Sequence, residues 1–257
     1  MPDAVVDIGN SRVKFCRVAG GSLQFPVWGL AADDLAGWER LATEWGFGPG
    51  RVWAVASTNP ARQQQFVDWV TSRGEKVIKV DSARKVPIEV SVDEPDRVGI
   101  DRLLNAFAAR ALVKPGQAAI IADAGSAVTV DLLDERSRFA GGTISPGLRL
   151  MALSLREYTA QLPLVDTTTA LPSGPPGRNT EAATKLGILY AVAGGIDAVI
   201  RETAARCTTA PHLVLTGGDM TPQLAGLLQS RHQFRSELRP ALTLEGLLRA
   251  AEHTSHD

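Results

Sequence analysis

The sequence predicts an α/β protein made of two related halves, and three observations support this. Strand-like and helix-like segments alternate along the 257 residues, which is typical of layered α/β folds. The turn D-I-G-N-S at residues 7–11 recurs in kind as D-A-G-S-A at residues 123–127, 116 residues later. Between these copies, Lys114-Pro115-Gly116 has the composition of a domain boundary. We therefore expect domains at residues 1–115 and 116–257.

The first half is predicted to begin with three strands and to continue with alternating helices and strands. The predicted strands are 4–7, 12–18, 22–29, 51–56 and 76–80, and the predicted helices are 33–45, 60–73 and 101–113. Asp33 or Asp34 is suited to cap the first helix, and Gly74 is suited to end the second. Residues 81–97 are expected to be irregular, because Pro87 and Pro95 interrupt them.

The second half repeats this style. The predicted strands are 118–123, 128–133, 138–142 and 212–216, and the predicted helices are 148–161, 179–206, 222–229 and 242–251. The Thr-, Pro- and Gly-rich segment 165–178 is predicted to be a mobile loop. In the longest helix, Gly187 and the pair Gly194-Gly195 are expected to be points of close packing or kinking.

Composition and charge argue against several classes of protein. A formal net charge of −1 and 5% aromatic residues give no electrostatic or stacking basis for nucleic-acid binding. The two cysteines and four histidines show no CxxC or HExxH spacing, so neither a disulfide framework nor a zinc site is predicted. No run approaches roughly 18 uninterrupted apolar residues. We therefore expect a cytoplasmic protein that binds no membrane.

The repeated D-x-G turn has the chemistry of a phosphate-binding loop. Glycine lets the backbone approach a phosphate closely, and the amides and small polar side chains after it can donate to phosphate oxygens. The aspartate at the end of the strand can hold a metal ion or its water ligands. For a single copy, an ordinary hairpin turn is the favoured explanation. Two copies, each in the first hairpin of a half, favour two loops that clamp the phosphates of one nucleotide.

Six segments of the chain resemble the type III pantothenate kinases, a family that includes the Bvg accessory factor proteins. Their order and spacing are more specific than any one of them alone. They are DIGNSRVK (7–14), VGIDRLLNA (98–106), DAGSAVTVD (123–131), GGTISPGL (141–148), NTEAATKLG (179–187) and LTGGD (215–219).

This resemblance implies a duplicated ribonuclease H-like fold of the actin-like ATPase, acetate and sugar kinase superfamily, with two facing domains. It implies a homodimer that phosphorylates pantothenate to 4'-phosphopantothenate, the first step of coenzyme A biosynthesis. The implied cofactors are ATP, Mg²⁺ and a monovalent cation, K⁺ or NH₄⁺. The implied mechanism agrees with general chemistry, since phosphoryl transfer depends mainly on positioning and charge neutralisation.

The resemblance also implies roles for individual residues. Asp101 would be the general base, Asp123 would bind the monovalent cation, and Asp7 is a candidate for Mg²⁺. The implied ATP-binding residues are Asp7, Ile8, Gly9, Asn10, Ser11, Arg12, Val13, Lys14 and Ser126. The implied substrate-binding residues are Gly99, Ile100, Asp101, Arg102 and Thr180, and Thr180 is a candidate to reach across the dimer.

Structural explanations remain open for several of these residues. Asp101 and Thr180 stand where helix caps are wanted, and Arg102 is suited to a surface ion pair. The family places a tyrosine shortly before its substrate motif, whereas this chain has Val92 there and no aromatic nearby. Two alternative functions therefore stay open: a kinase for another small hydroxyl compound, and a non-catalytic regulatory accessory protein.

Overall fold

The computed structural model describes residues 1–169 and 174–254, and the chain divides into two compact units. The first contains Met1–Ala111 together with the segment from Ala241 onward, and the second is Leu112–Pro240. The sequence-based division near residue 115 lies close to the first crossing between the units. It assigned the last helix to the second half, however, whereas that helix packs in the first unit.

The first unit is built on a five-stranded mixed sheet. Its strands are β1 (Ala4–Ile8), β2 (Arg12–Ala19), β3 (Ser22–Ala31), β4 (Val52–Ser57) and β5 (Lys76–Lys79). The strand order is β3-β2-β1-β4-β5, with β1–β2–β3 antiparallel and β1–β4–β5 parallel. Four of the five residues of β1 are buried, because a central strand covered on both faces has no solvent side.

Four helices belong to the first unit: α1 (Leu35–Glu44), α2 (Pro60–Ser72), α3 (Ile100–Ala109) and α7 (Leu242–Thr254). Asp34 caps α1 by accepting a hydrogen bond from the amide of Gly37, and Gly74 follows α2 with a φ of 72°. Trp38 of α1 packs against Phe66 of α2, and Phe66 packs against Trp53 of β4, in one aromatic cluster. Such rings bury large apolar areas and dominate the core energetics.

Helices α3 and α7 form a close pair. Thr243 donates from Oγ1 to Oδ1 of Asn105 at 2.9 Å, and both side chains are buried. A Cβ at Gly246 would overlap the carbonyl group of Leu104. The crossing is therefore close enough to require glycine, and it ties the last helix to α3. Between β5 and α3 lie a two-residue strand, β6 (Glu89–Val90), and short 3₁₀ turns at Ala83–Lys85 and Pro95–Arg97.

The second unit repeats the hairpin-first arrangement. Its strands are β7 (Ala119–Ala124), β8 (Ala127–Leu133), β9 (Arg138–Pro146), β10 (His212–Thr216) and β11 (Ser236–Leu238). They lie in the order β11-β10-β7-β8-β9, with β7–β8–β9 antiparallel and β7–β10–β11 parallel. Its helices are α4 (Leu148–Tyr158), α5 (Thr180–Ala204) and α6 (Pro222–Gln229).

The 25-residue helix α5 has the length and composition of a membrane span, although half of its most apolar window is buried inside the protein. Lys185 and Asp197 are buried on the same helix. Both kinds of burial are typical of a core helix of a globular unit. The length and composition of α5 are therefore only weak evidence for a membrane span. A Cβ at Gly187, Gly194 or Gly195 would meet open space, so the prediction of close packing at these glycines was wrong.

Most predicted elements match the observed ones to within one to four residues at each end. Helix α3 ends at Ala109 rather than at residue 113, and β9 continues to Pro146. Two short strands, β6 and β11, were not predicted because two or three residues carry no readable periodicity. Residues 170–173 of the predicted loop at 165–178 lie outside the described part of the chain.

Candidate functional site

The first D-x-G hairpin joins β1 to β2 in the first unit. Asp7 pairs with Lys14 and Ile8 with Val13, so Asp7 and Lys14 project from the same face of the sheet. The amide of Gly9 donates to the carbonyl oxygen of Arg12 at 3.0 Å and closes the turn. A Cβ at Gly9 would lie 3.1 Å from that oxygen. Asn10, Ser11 and Arg12, at the tip, are exposed.

Side chains from the junction of β4 and α2 contact this hairpin. Ser57 Oγ donates to the carbonyl of Ile8 at 2.9 Å, Asn59 Nδ2 donates to Asn10 Oδ1 at 3.0 Å, and an Arg62 guanidinium nitrogen donates to the carbonyl of Asn10 at 2.6 Å. Because β1 and β4 are parallel neighbours, their carboxyl ends meet at one sheet edge, where α/β folds bind ligands.

The segment 99–102 forms the start of α3. Gly99 occupies the N-cap position, so Asp101 is not the cap that the structural explanation proposed. Asp101 is the second residue of the helix, within its first turn, and its Oδ1 accepts from the amide of Arg102 at 2.9 Å. A Cβ at Gly99 would be 2.6 Å from that oxygen, so a larger residue here would require the Asp101 carboxylate to shift. Asp101 and Arg102 are both half-buried.

The second D-x-G hairpin joins β7 to β8 in the second unit, and two glycines hold its turn. The amide of Gly147 donates to the carbonyl of Ser126 at 3.1 Å, and a Cβ at Gly147 would overlap the carbonyl oxygen of Gly125. On the other side, Gly217 has a φ of 108° and lies against the backbone of Ala124. Neither glycine tolerates a side chain, because both press on the backbone of the turn.

Asp123 lies between two buried threonines. It pairs with Thr129 on β8 and with Thr216 on β10, so the three side chains share one face. Thr129 is 9% exposed and Thr216 is 1% exposed. Neither hydroxyl has a hydrogen-bond partner among the described protein groups. Buried hydroxyls normally have partners, so this face offers oxygen atoms with unused capacity beside a carboxylate.

Thr180 is the first residue of α5 and is exposed. The cap of this helix is Asn179, whose Oδ1 accepts from the amide of Ala182 at 2.8 Å. Thr180 therefore does not serve as the cap of α5. One turn further, Lys185 is buried and contacts Glu181 at 2.8 Å and the hydroxyl of Thr169 at 3.0 Å.

The structure brings the predicted residues together in local groups. Within the first unit, residues 7–14 form one hairpin and residues 99–102 form one helix start. Within the second unit, Asp123 and Ser126 share a hairpin, and Thr180 begins α5. Sequence reasoning missed Ser57, Asn59, Arg62, Thr129 and Thr216. The rule that ligand sites lie at the carboxyl ends of parallel strands could have indicated residues 57–62.

Solved structures with the same architecture show the class of fold to which the chain belongs. The activator of the 2-hydroxyisocaproyl-CoA dehydratase from Clostridium difficile, solved with bound ADPNP, matches with a TM-score of 0.58 at 13% identity, covering 100% of this chain and 96% of the other. A proposed 2-dehydro-3-deoxygalactonokinase from Sinorhizobium meliloti matches with a TM-score of 0.59 at 12% identity, covering 97% and 98%. These matches show that the chain has the fold that actin-like ATPases and sugar kinases share.

Sequence comparison identifies the family within this class. The family model for type III pantothenate kinase matches residues 4–202. A type III pantothenate kinase of Halorhodospira halophila is 32% identical over 97% of both chains, and one of Dehalococcoides mccartyi is 35% identical over 94% of both. The chain belongs to the type III pantothenate kinase family, whose members are phosphotransferases.

Proposed function

We propose that this chain transfers the γ-phosphoryl group of ATP to the hydroxyl group of pantothenate. The product would be 4'-phosphopantothenate, and the reaction would be the first step of coenzyme A biosynthesis. The observation that carries the proposal is the family match across residues 4–202, which includes both D-x-G hairpins and the start of α3. ATP would be the phosphoryl donor, as expected for a kinase with this fold.

The two hairpins would supply the phosphate contacts. In the first, the backbone of residues 9–11 and the side chains of Ser11 and Lys14 would face the phosphates, while Ile8, Arg12 and Val13 shape the turn. In the second, Ser126 would contribute its hydroxyl. Preformed donors of this kind lower the barrier, because they need no reorganisation as charge develops on the transferred group.

Asp7 would hold Mg²⁺, which neutralises phosphate charge when bound. No group of three or more His, Cys, Asp or Glu side chains comes together in the described residues. The single carboxylate of Asp7 still fits Mg²⁺, since this ion is commonly bound by one or two carboxylates together with substrate phosphates and water.

Asp123 would bind the monovalent cation, K⁺ or NH₄⁺. The flanking hydroxyls of Thr129 and Thr216 are buried and have no partner among the described protein groups, which fits a hard cation that prefers oxygen ligands. The cation would add positive charge near the second hairpin.

Asp101 would accept the proton of the attacking hydroxyl. Its carboxylate lies at the start of α3, where Gly99 leaves room beside it and the amide of Arg102 fixes one oxygen. The carboxylate would then accept the proton of the substrate hydroxyl, a step that typically contributes about 10²–10⁴-fold to rate. Arg102 would pair with the carboxylate of pantothenate, and Gly99, Ile100 and Thr180 would complete the substrate contacts.

A cytoplasmic homodimer is the proposed assembly. The second unit exposes several large apolar side chains on β9, α4 and the segment after α4, namely Ile144, Leu150, Leu153, Tyr158 and Leu164. Such residues are more often covered by a partner than left in water when they form a patch. Size-exclusion chromatography with light scattering tests the assembly.

The proposed function is tested by a coupled ADP-release assay with Mg-ATP, pantothenate and either K⁺ or Na⁺. We expect turnover that requires pantothenate and K⁺ and that falls by about 10²-fold or more in Asp101→Asn. The asparagine keeps an oxygen to accept from the amide of Arg102, so the helix start should persist. Asp33→Asn, an exposed residue of the same unit, is the control and should retain full turnover.

A second candidate substrate class follows from Val92, which is half-buried and stands where the family has a tyrosine. Because a smaller side chain would alter the substrate pocket, another small hydroxyl compound stays a candidate acceptor. A panel of sugars and polyols in the same assay distinguishes the two. Absence of turnover with every acceptor, from folded protein, would favour a regulatory accessory role instead.

A further inference from the structure

Two side chains outside the matched motif contact the first D-x-G hairpin. Arg62 donates from its guanidinium group to the backbone carbonyl of Asn10 at 2.6 Å. The side-chain amide of Asn59 donates to the side-chain oxygen of Asn10 at 3.0 Å. Both come from the start of α2, about 50 residues along the chain. One exposed turn residue thus receives two hydrogen bonds from a neighbouring element.

The donors are themselves held in place. Asn59 caps α2, because its Oδ1 accepts from the amide of Arg62 at 3.2 Å while its Nδ2 points to the hairpin. The backbone amide of Asn59 donates to Ser57 Oγ at 2.9 Å, and the Ser57 hydroxyl in turn donates to the carbonyl of Ile8 at 2.9 Å. Asn59 therefore uses both ends of its side chain, which couples the start of α2 to the tip of the turn.

Arg62 also brings charge to the hairpin. Its guanidinium forms no ion pair with a carboxylate in the part of the chain that the structure describes. An arginine stays protonated and carries five N–H donors, of which the Asn10 carbonyl uses one. A half-buried arginine without an acidic partner keeps its full charge and most of its donors available for an anion.

We propose that Arg62 and Asn59 are positioning residues for nucleotide binding. Together they hold the turn at residues 9–11 in the conformation that receives the phosphates of ATP, and the charge of Arg62 adds to the attraction of those phosphates. This inference rests on the proposed function, because it requires that the hairpin bind a nucleotide. It extends the ATP site to the β4–α2 junction, which the sequence motif does not include.

The test compares Arg62→Met and Asn59→Ser with Arg40→Met, which makes the same change at an exposed arginine of α1. Serine still caps a helix but cannot reach Asn10, so Asn59→Ser separates the two roles of Asn59. Equilibrium titration with a fluorescent ATP analogue and Mg²⁺ gives Kd, steady-state kinetics give the KM for pantothenate, and thermal melting reports the fold.

We expect Kd for the nucleotide to rise about tenfold in Arg62→Met and about threefold in Asn59→Ser, since hydrogen bonds are worth about 0.5–3 kcal/mol depending on charge. The KM for pantothenate and the melting temperature should stay near the wild-type values. Arg62→Lys, which keeps the charge and a donor, should recover part of the affinity. Hydrogen exchange at the amides of residues 9–12 should be faster in Arg62→Met even without nucleotide.

Three outcomes would overturn the inference. Nucleotide affinity within twofold of wild type in both variants would show that the turn needs neither side chain, while the proposed kinase function stands. Equal losses of affinity for nucleotide and pantothenate, together with a lower melting temperature, would show a general structural role. Wild-type protein that binds no nucleotide would remove the proposed function and this inference with it.

Discussion

Replacing Thr216 with valine should make the protein more stable and less responsive to K⁺. The Thr216 side chain is 1% exposed, and its hydroxyl has no partner among the described protein groups. Valine has nearly the same shape and replaces the hydroxyl with a methyl group. In a buffer without K⁺ or NH₄⁺, the change therefore relieves the cost of burying an unsatisfied polar group, about 1–3 kcal/mol.

The expected shift in melting temperature follows from chain size. For chains of about 150–250 residues, each kcal/mol moves Tm by about 2–4 °C, so Thr216→Val should melt at least a few degrees above wild type in choline chloride. In KCl the difference in Tm between Thr216→Val and wild type should become smaller or change sign. If the Thr216 hydroxyl ligates the cation beside Asp123, only the wild type gains the full stabilisation that a ligand of the folded state provides.

Differential scanning fluorimetry with KCl, NH₄Cl and choline chloride titrations at constant ionic strength measures both effects without any enzymatic assay. Thr184→Val is the matched control, because Thr184 is also buried but its hydroxyl donates to the carbonyl of Thr180 at 2.7 Å. The control should show no gain in Tm and an unchanged response to K⁺. The reasoning is refuted if Thr216→Val is no more stable than wild type in choline and responds to K⁺ as wild type does.

Two further predictions concern the second unit. Gly217→Ala should lower the free energy of unfolding by about 2–4 kcal/mol, because a φ of 108° and overlap with the backbone of Ala124 are both unfavourable. The control is Gly226→Ala in α6, which has open space around it and should be neutral or stabilising. Urea unfolding compares the two variants. Burial lowers the pKa of His212 despite the nearby Glu237 carboxylate, so the unfolded chain binds this proton more readily and stability should fall as pH drops from about 7.5 to 5.5. His212→Gln should show a shallower decline in urea midpoints over that range, and an unchanged slope would contradict the assignment.

Much of the fold could be predicted because its signals are local. The alternation of strands and helices, the cap at Asp34 and the positive-φ glycine at Gly74 each depend on a few adjacent residues. The place of the last helix could not be predicted in this way. Its membership of the first unit depends on the close crossing of Gly246 and Leu104, which are far apart in the chain. The prediction of close packing at the glycines of α5 was wrong for the same reason, since the sequence does not show which groups lie opposite them.

The candidate site divides along the same line. The segments 7–14, 99–102 and 123–126 were recognisable because each is a contiguous motif. Arg62 and Asn59 were not, because their contacts with Asn10 exist only after β4 has paired beside β1. Thr129 was part of a quoted motif without a role, and only the strand register shows that it shares a face with Asp123.

The return of the chain to the first unit has a consequence for synthesis. Residues 112–240 are contiguous and can fold as they leave the ribosome, whereas the first unit must wait for the segment from Ala241 onward. Until α7 arrives, α3 lacks the partner that covers its apolar side and that holds Asn105 through Thr243. A nascent chain therefore carries Asp101 on an unsupported helix, and premature termination after Pro240 should leave an incomplete first unit that is prone to aggregation.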